Sequence, residues 1–221
     1  MSYQFARIDL SKTDYKESVE WKYLLELPKT RAWQCLNGRM CPHRSQVVEV
    51  LKSWPQGTLS YGDHIPLENW AYSTYRGCEN DNNFLRLANL YGSTRVNIVT
   101  ETIYDYTPGI ISEKTLLAFV AQQIPIVIGH QGIVQHCREL GFDMFDDIID
   151  HGYDSIEDED QRMNSVVQQC VLLDQRFTLD RCVELKTMLA ERLDNNYNLL
   201  KQIATHRDDK FRDLLKELNE N

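Results

Sequence analysis

Three short stretches carry side chains suited to holding an anion. The first is Asn37-Gly38-Arg39-Met40-Cys41-Pro42-His43-Arg44, where two guanidiniums and an imidazole are crowded together. Placed before a helix, such a loop adds fork-shaped Arg donors to the free N–H groups and positive dipole end of the helix, a combination that favours phosphate. The competing reading is a solvated basic loop with Arg44 paired within its own helix. The second stretch is Glu101-Thr102 followed by Ser112-Glu113-Lys114-Thr115. A carboxylate at a strand end can accept both hydroxyls of a ribose. Lys114 in a first helical turn opposes the macrodipole, and an anionic ligand would resolve that conflict. Without a ligand, Glu113 offsets the dipole and Lys114 points to water. The third is Gly129-His130-Gln131-Gly132, whose glycines permit close backbone approach. His130 itself reads as a loop residue.

Positioning these groups requires strands that alternate with helices. Ala32 to Leu36 reads as a strand ending at the Asn37-Gly38 turn, and Val47, Val48, Leu51 and Trp54 share one face of the helix that follows. Thr58 to Tyr61 reads as a second strand, 62–80 as a long loop, and Phe84 to Tyr91 as a helix. Arg95 to Thr100 is β-branched and strand-like. After a loop with Pro108-Gly109, Ser112 is an N-cap for a helix reaching Ala121. Ile124 to Gly129 has buried-strand character, and Ile133 to Leu140 is a helix stopped by Gly141. Near the start, Phe5 to Leu10 reads as an edge strand and Tyr15 to Leu27 as a helix. From residue 158 onward apolar residues recur at three- and four-residue steps, a helical pattern. Strands alternating with helices imply a parallel α/β sheet covered on both faces, with ligands at the carboxyl ends of its strands. The expected organisation is 1–157 as a Rossmann-like domain, with 158–221 as a helical region packed on it or mediating association.

Composition narrows the class. With 42% hydrophobic and 26% charged residues the chain resembles an ordinary globular protein. A net charge of -9 argues against a general nucleic-acid binder, which needs clustered Lys and Arg, yet leaves room for a local basic pocket. The six cysteines form no CxxC pair and read as free thiols. Cys41 and His43 are spaced as two metal ligands, but zinc takes three or four and no second cluster accompanies them, so no metal is expected. No basic-then-apolar leader opens the chain and no run reaches the roughly 18 apolar residues of a membrane span. A cytoplasmic protein without membrane attachment is expected.

Trp33-Gln34-Cys35-Leu36-Asn37-Gly38-Arg39-Met40-Cys41-Pro42-His43-Arg44 resembles the "LNRxxRPHR" loop of glycosyltransferase-like proteins of tailed bacteriophages. Thr100-Glu101-Thr102 with Ile111-Ser112-Glu113-Lys114-Thr115 resembles their "ET…SEKT" signature, and is similar to the "FEN…TEK" signature of alpha-1,3-fucosyltransferases. Pro125-Ile126-Val127-Ile128-Gly129 stands where those families have "PxxxG". Leu140 to Asp150 with Tyr153-Asp154 resembles the phage family's "LGFxTFDDxxDExYD" block. The four blocks lie in order across 32–165.

The resemblance implies the donor-binding half of a two-domain, metal-independent glycosyltransferase, using a nucleoside-diphosphate sugar and no other cofactor. Asn37, Arg39, Arg44, Ser112, Glu113, Lys114 and Gly129 would bind that substrate, with Glu101 or Glu113 on the ribose. His43 and Glu101 would be the catalytic pair, His43 serving as general base or as a phosphate-orienting group. The acceptor would be a hydroxyl of a glycan, a lipid or modified phage DNA. Departures are visible: Leu117 and Ala118 stand where a lysine is expected, and Gly129-His130-Gln131-Gly132 replaces a GxPG turn. Little chain precedes Trp33, whereas longer transferases place an acceptor domain there. Two other functions use the same residues: a non-catalytic phage interaction module docking through its C-terminal helices, on a protein partner or a second copy, and an anti-defence protein sequestering a nucleotide.

Overall fold

The computed structural model describes residues 27–62, 90–105 and 111–219, with side chains given except at 172–175 and 206–219. The expected strand at Phe5 to Leu10, nearly all of the helix at Tyr15 to Leu27, all but the first residue of the loop over 62–80, most of the helix at Phe84 to Tyr91 and the Pro108-Gly109 turn lie outside these residues.

Four parallel strands form the sheet, β1 (Arg31–Asn37), β2 (Gly57–Tyr61), β3 (Thr94–Thr100) and β4 (Ile124–Ile128), in the order β2-β1-β3-β4. All seven residues of β3 and all five of β4 are buried, as in a parallel sheet shielded on both faces. Between the strands run α1 (Pro42–Leu51), after β1, and α2 (Glu113–Val120), after β3; α3 (Ile133–Glu139) follows β4. Pro42 opens α1, where its fixed φ suits a first turn. The hydroxyl of Ser112 accepts from the Lys114 N–H, so the expected N-cap is formed. Gly141, at φ +95, follows the C-cap of α3, where a left-handed residue ends a helix cheaply.

The remaining chain makes α4 (Glu159–Arg176), α5 (Leu179–Met188) and α6 (Ala190–Asn219). Here α1 packs on α4, α2 packs on α6, and α5 lies against β1 and β3. One apolar cluster runs from Ala32 through Phe119 and Ile126 to Cys182, Leu193 and Leu200, so sheet and C-terminal helices share a core. No helix among the described residues is long and apolar enough to cross a membrane.

Two local fits hold the sheet together. Trp33 lies beside Gly57 across the β1–β2 pair, and a Cβ on Gly57 would meet the indole ring at 2.0 Å. Only glycine leaves the ring its place. On the outer side of the sheet, β4 pairs with β3 alone among the described residues, and the Tyr153 hydroxyl donates to the Val127 carbonyl at 2.9 Å.

Candidate functional site

The connection leaving β1 leads outward to β2, while the one leaving β3 leads the other way to β4. Adjacent strands whose connections diverge leave a crevice at their carboxyl ends, the usual ligand position in such sheets. Two of the three loops singled out in the sequence, Asn37–Arg44 and the described part of 101–114, border that crevice. Several of the side chains there are used differently from expectation.

Glu101 is 1% exposed. Its Oε1 accepts from the Ser112 N–H at 3.1 Å and the Thr115 hydroxyl at 2.6 Å, and its Oε2 accepts from the Thr102 N–H at 3.3 Å. The carboxylate therefore sits at the start of α2, taking the place that an anionic ligand would otherwise occupy. Gly129 lies directly over its stem; a Cβ there would come within 3.1 Å of Glu101 Cβ. Two expectations change. Glu101 is not available to a ribose or to catalysis, and Gly129 makes room for Glu101 rather than for a ligand.

Arg44 is turned inward too, at 2% exposure. Its Nη2 donates to the carbonyls of Thr100 and Glu101, each at 3.1 Å, and its Nη1 to the carbonyl of Arg39 at 3.2 Å. Carbonyls at the end of β3 lack a further strand residue to pair with, and the guanidinium satisfies them. The expected grip of Arg44 on a diphosphate is replaced by this scaffold role. Asn37, fully buried, accepts from the Thr100 hydroxyl and donates to Cys35 Sγ at 3.3 Å, tying the ends of β1 and β3 together. Ser112, 7% exposed, is spent on capping α2.

Of the other expected residues, Arg39, Glu113 and Lys114 keep exposed surface and His43 borders a cleft. Arg39 is exposed in the loop after β1. Lys114 and Glu113 form a 2.9 Å ion pair with side chains 24% and 31% exposed, and Lys114 Nζ also donates to Thr102 Oγ1 at 3.1 Å. Burial works to raise the Glu113 carboxyl, but the charge and hydrogen bond of Lys114, aided by Arg44, hold it below the usual value. His43 stacks on Tyr104 with ring centroids 5.0 Å apart and planes within 9°. Its Nε2 lies 3.0 Å from the Glu101 carbonyl oxygen. A carbonyl only accepts, so Nε2 carries the proton and the neutral ring leaves a bare lone pair on Nδ1. Burial first, with Arg44 adding to it, lowers the His43 pKa and favours that neutral form.

Beside His43 opens a cleft of about 410 Å³ bordered by Gln46, Thr102, Tyr104, Asp105, Glu159 and Asp160. Thr102, which joins this cleft to Lys114, and Tyr104, which forms its aromatic wall, were missed as site residues. Thr102 is adjacent to Glu101 in the recognised motif, and Tyr104 two residues further on, so a signal was present.

The third expected loop carries no open anion position. Asp154 places Oδ1 3.0 Å from the Val134 N–H and Oδ2 2.8 Å from the Gln135 N–H, filling the start of α3. His130 is buried behind that loop, and burial lowers its pKa. A depression of about 780 Å³ around Asp146 to Ser155 is larger than the cleft. Its carboxylates are committed, however: Asp146 to Arg138, Asp147 to Arg192, Asp150 to the Gly152 N–H and Gln169, and Asp154 to α3. Among the described residues no group of three or more His, Cys, Asp and Glu is placed to hold a metal ion.

These features define a parallel α/β domain with a polar crevice where its strand order diverges. No protein-family model, no curated protein and no solved structure matches the chain. The reading of the site therefore rests on its geometry and on the motif resemblance.

Proposed function

We propose that the crevice binds a nucleoside-diphosphate sugar and that the chain is a glycosyltransferase-like donor domain of metal-independent type. The observation that carries this reading is the partly exposed Glu113–Lys114 pair at the crevice, joined through Thr102 to the cleft at His43. With Glu101 buried, Glu113 is the carboxylate left for the ribose hydroxyls. Lys114 and Arg39 supply fixed positive charge to the departing diphosphate. The bare Nδ1 of His43 accepts the proton of an acceptor hydroxyl as that oxygen bonds to the anomeric carbon. The bond from that carbon to the diphosphate breaks, and its electron pair leaves with the nucleotide. Asp105, Glu159 and Asp160 on the cleft wall repel a polyanion, which favours a glycan or lipid-linked hydroxyl over DNA as acceptor.

Thermal unfolding in the presence of nucleoside diphosphates and nucleotide sugars tests the reading. A ligand at 100 times its dissociation constant stabilises the fold by about 2.7 kcal/mol. Lys114→Ala should remove that stabilisation, and acceptor-dependent release of nucleoside diphosphate would establish transfer.

A second reading is a non-catalytic interaction module on the same scaffold. It is favoured by Glu101 and Asp154 already occupying the starts of α2 and α3, and by the inward turn of Arg44. Absence of stabilisation by any nucleotide puts this reading ahead. Nucleotide sequestration by an anti-defence protein predicts binding without turnover.

A further inference from the structure

The end of the sheet remote from the crevice holds a group of cations with no acidic partner among the described residues. Lys29, just before β1, is 6% exposed, and its Nζ donates to the Gly92 carbonyl. Arg95, the second residue of β3, is 2% exposed. Its Nη1 donates to the Gln122 carbonyl at 2.8 Å, while its Nε is buried without a hydrogen-bond partner. Gln122 holds a left-handed backbone, φ +51, which L residues other than glycine seldom adopt. Lys186 from α5 stands on the same wall.

Around these groups lies a cavity of about 100 Å³, completed by Ala190, Leu193 and Asp194 at the start of α6. That space equals about three water molecules in the liquid. No salt bridge joins Lys29, Arg95 or Lys186 to a carboxylate among the described residues. Asp194, the one acid among the described wall residues, accepts from the Gln122 side chain.

Burying a cation is costly unless it is paired and hydrogen-bonded, and two such cations together repel each other as well. The local consequence is visible at both groups. Burial, then the charges of Arg95 and Lys186, lower Lys29 to about 7, and burial lowers Arg95 to about 10. Cys182 close by is no counter-charge, because burial raises its thiol to about 11. The carbonyl end of α2 compensates only in part, since a helix terminus carries roughly half a charge.

We infer that this cavity is a binding site for a small tetrahedral oxyanion, inorganic phosphate or the phosphate group of a monoester, held by Lys29, Arg95 Nε and Lys186. The site is independent of the nucleotide crevice. An anion there pairs the buried cations, gives Arg95 Nε its missing acceptor, and ties the start of β1 to α2, α5 and α6.

Thermal unfolding of the full chain at constant ionic strength tests this, comparing phosphate, sulfate and AMP with chloride. Phosphate and sulfate should raise the melting temperature saturably, and the rise should persist in Lys114→Ala, which separates it from the crevice. Lys29→Met should lose the rise while melting no lower than the parent in chloride, because a buried charge has been replaced by an apolar stem. If that variant does not fold, Lys186→Glu provides a carboxylate in place of the anion and should abolish the response in a folded protein. Stabilisation by AMP that depends on Lys29 marks a phosphate ester as the occupant; stabilisation by phosphate alone marks the free ion. No response to phosphate or sulfate, or a response unchanged in both Lys29→Met and Lys186→Glu, overturns the inference and leaves Lys29 as a neutral buried amine.

Discussion

The two ends of the sheet handle charge in opposite ways. At the carboxyl end, where α2 and α3 begin, the chain provides its own anions: Glu101 fills one helix start and Asp154 the other. At the amino end, where α2 finishes, it places Lys29 and Arg95 against the carbonyls of Gly92 and Gln122, with no salt bridge to a carboxylate among the described residues. Both choices follow the direction of the helix dipole. Only the first is balanced, because carboxylates there meet several N–H and O–H donors, whereas Arg95 Nε meets none. The contrast teaches that the sheet end expected to hold phosphate is largely self-satisfied, which leaves only its lip open to a ligand.

Breaking the balanced end should have the largest effect. Glu101→Ala removes a buried carboxylate and strands the donors of Ser112 and Thr115, an expected loss of about 3 kcal/mol in urea unfolding. A loss below about 1 kcal/mol would show that water or another group readily replaces it. Asp154→Ala, which uncaps α3 alone, should cost about 1.5 kcal/mol by the same measurement.

Titration sharpens the contrast, since the two ends respond in separate pH windows. Burial lowers the folded values of His43 and His130 below 6.5. The unfolded chain then binds more protons, so stability from these neutral rings is full above pH 6.5 and is lost as pH falls through 6.5 toward the folded values. At the amino end Lys29 drops from 10.5 to about 7, so stability should rise as pH climbs from about 7 toward 10.5. Melting temperature against pH should show both slopes, with Lys29→Met erasing only the alkaline one. The smallest effect on stability belongs to Lys114→Ala, within about 0.5 kcal/mol for a partly exposed ion pair, while nucleotide stabilisation disappears.

Much of the scaffold was readable because local rules and tertiary packing agree. The Asn37-Gly38 turn, the Ser112 cap, the apolar run into β4 and the stop at Gly141 each sit within one or two residues of the observed boundaries. The loops bordering the crevice were also located, because strand ends dictate where loops emerge. What could not be read was which of two carboxylates faces out. Glu101 and Glu113 are both polar residues next to an element boundary, and the distinction depends on Gly129, from another strand end, opening space for the first. Arg44 follows the same logic: its partners are carbonyls at Thr100 and Glu101, and carbonyls leave no trace in residue type. Lys29 and Arg95 meet only through the pairing of β1 with β3, which sets Arg31 opposite Thr94. A single charged residue inside a fully buried strand was the available hint.

The hydroxyl of Tyr153 on the Val127 carbonyl has a consequence for how copies of this protein meet one another. A bare outer strand is a template on which a neighbouring chain can dock and continue the ladder. Here the carbonyl of Val127, the fourth of the five residues of β4, is taken by an aromatic side chain delivered from 26 residues downstream. A neighbouring chain continuing the ladder along β4 would have to displace that hydroxyl, and Tyr153→Phe would remove the plug while leaving the ring.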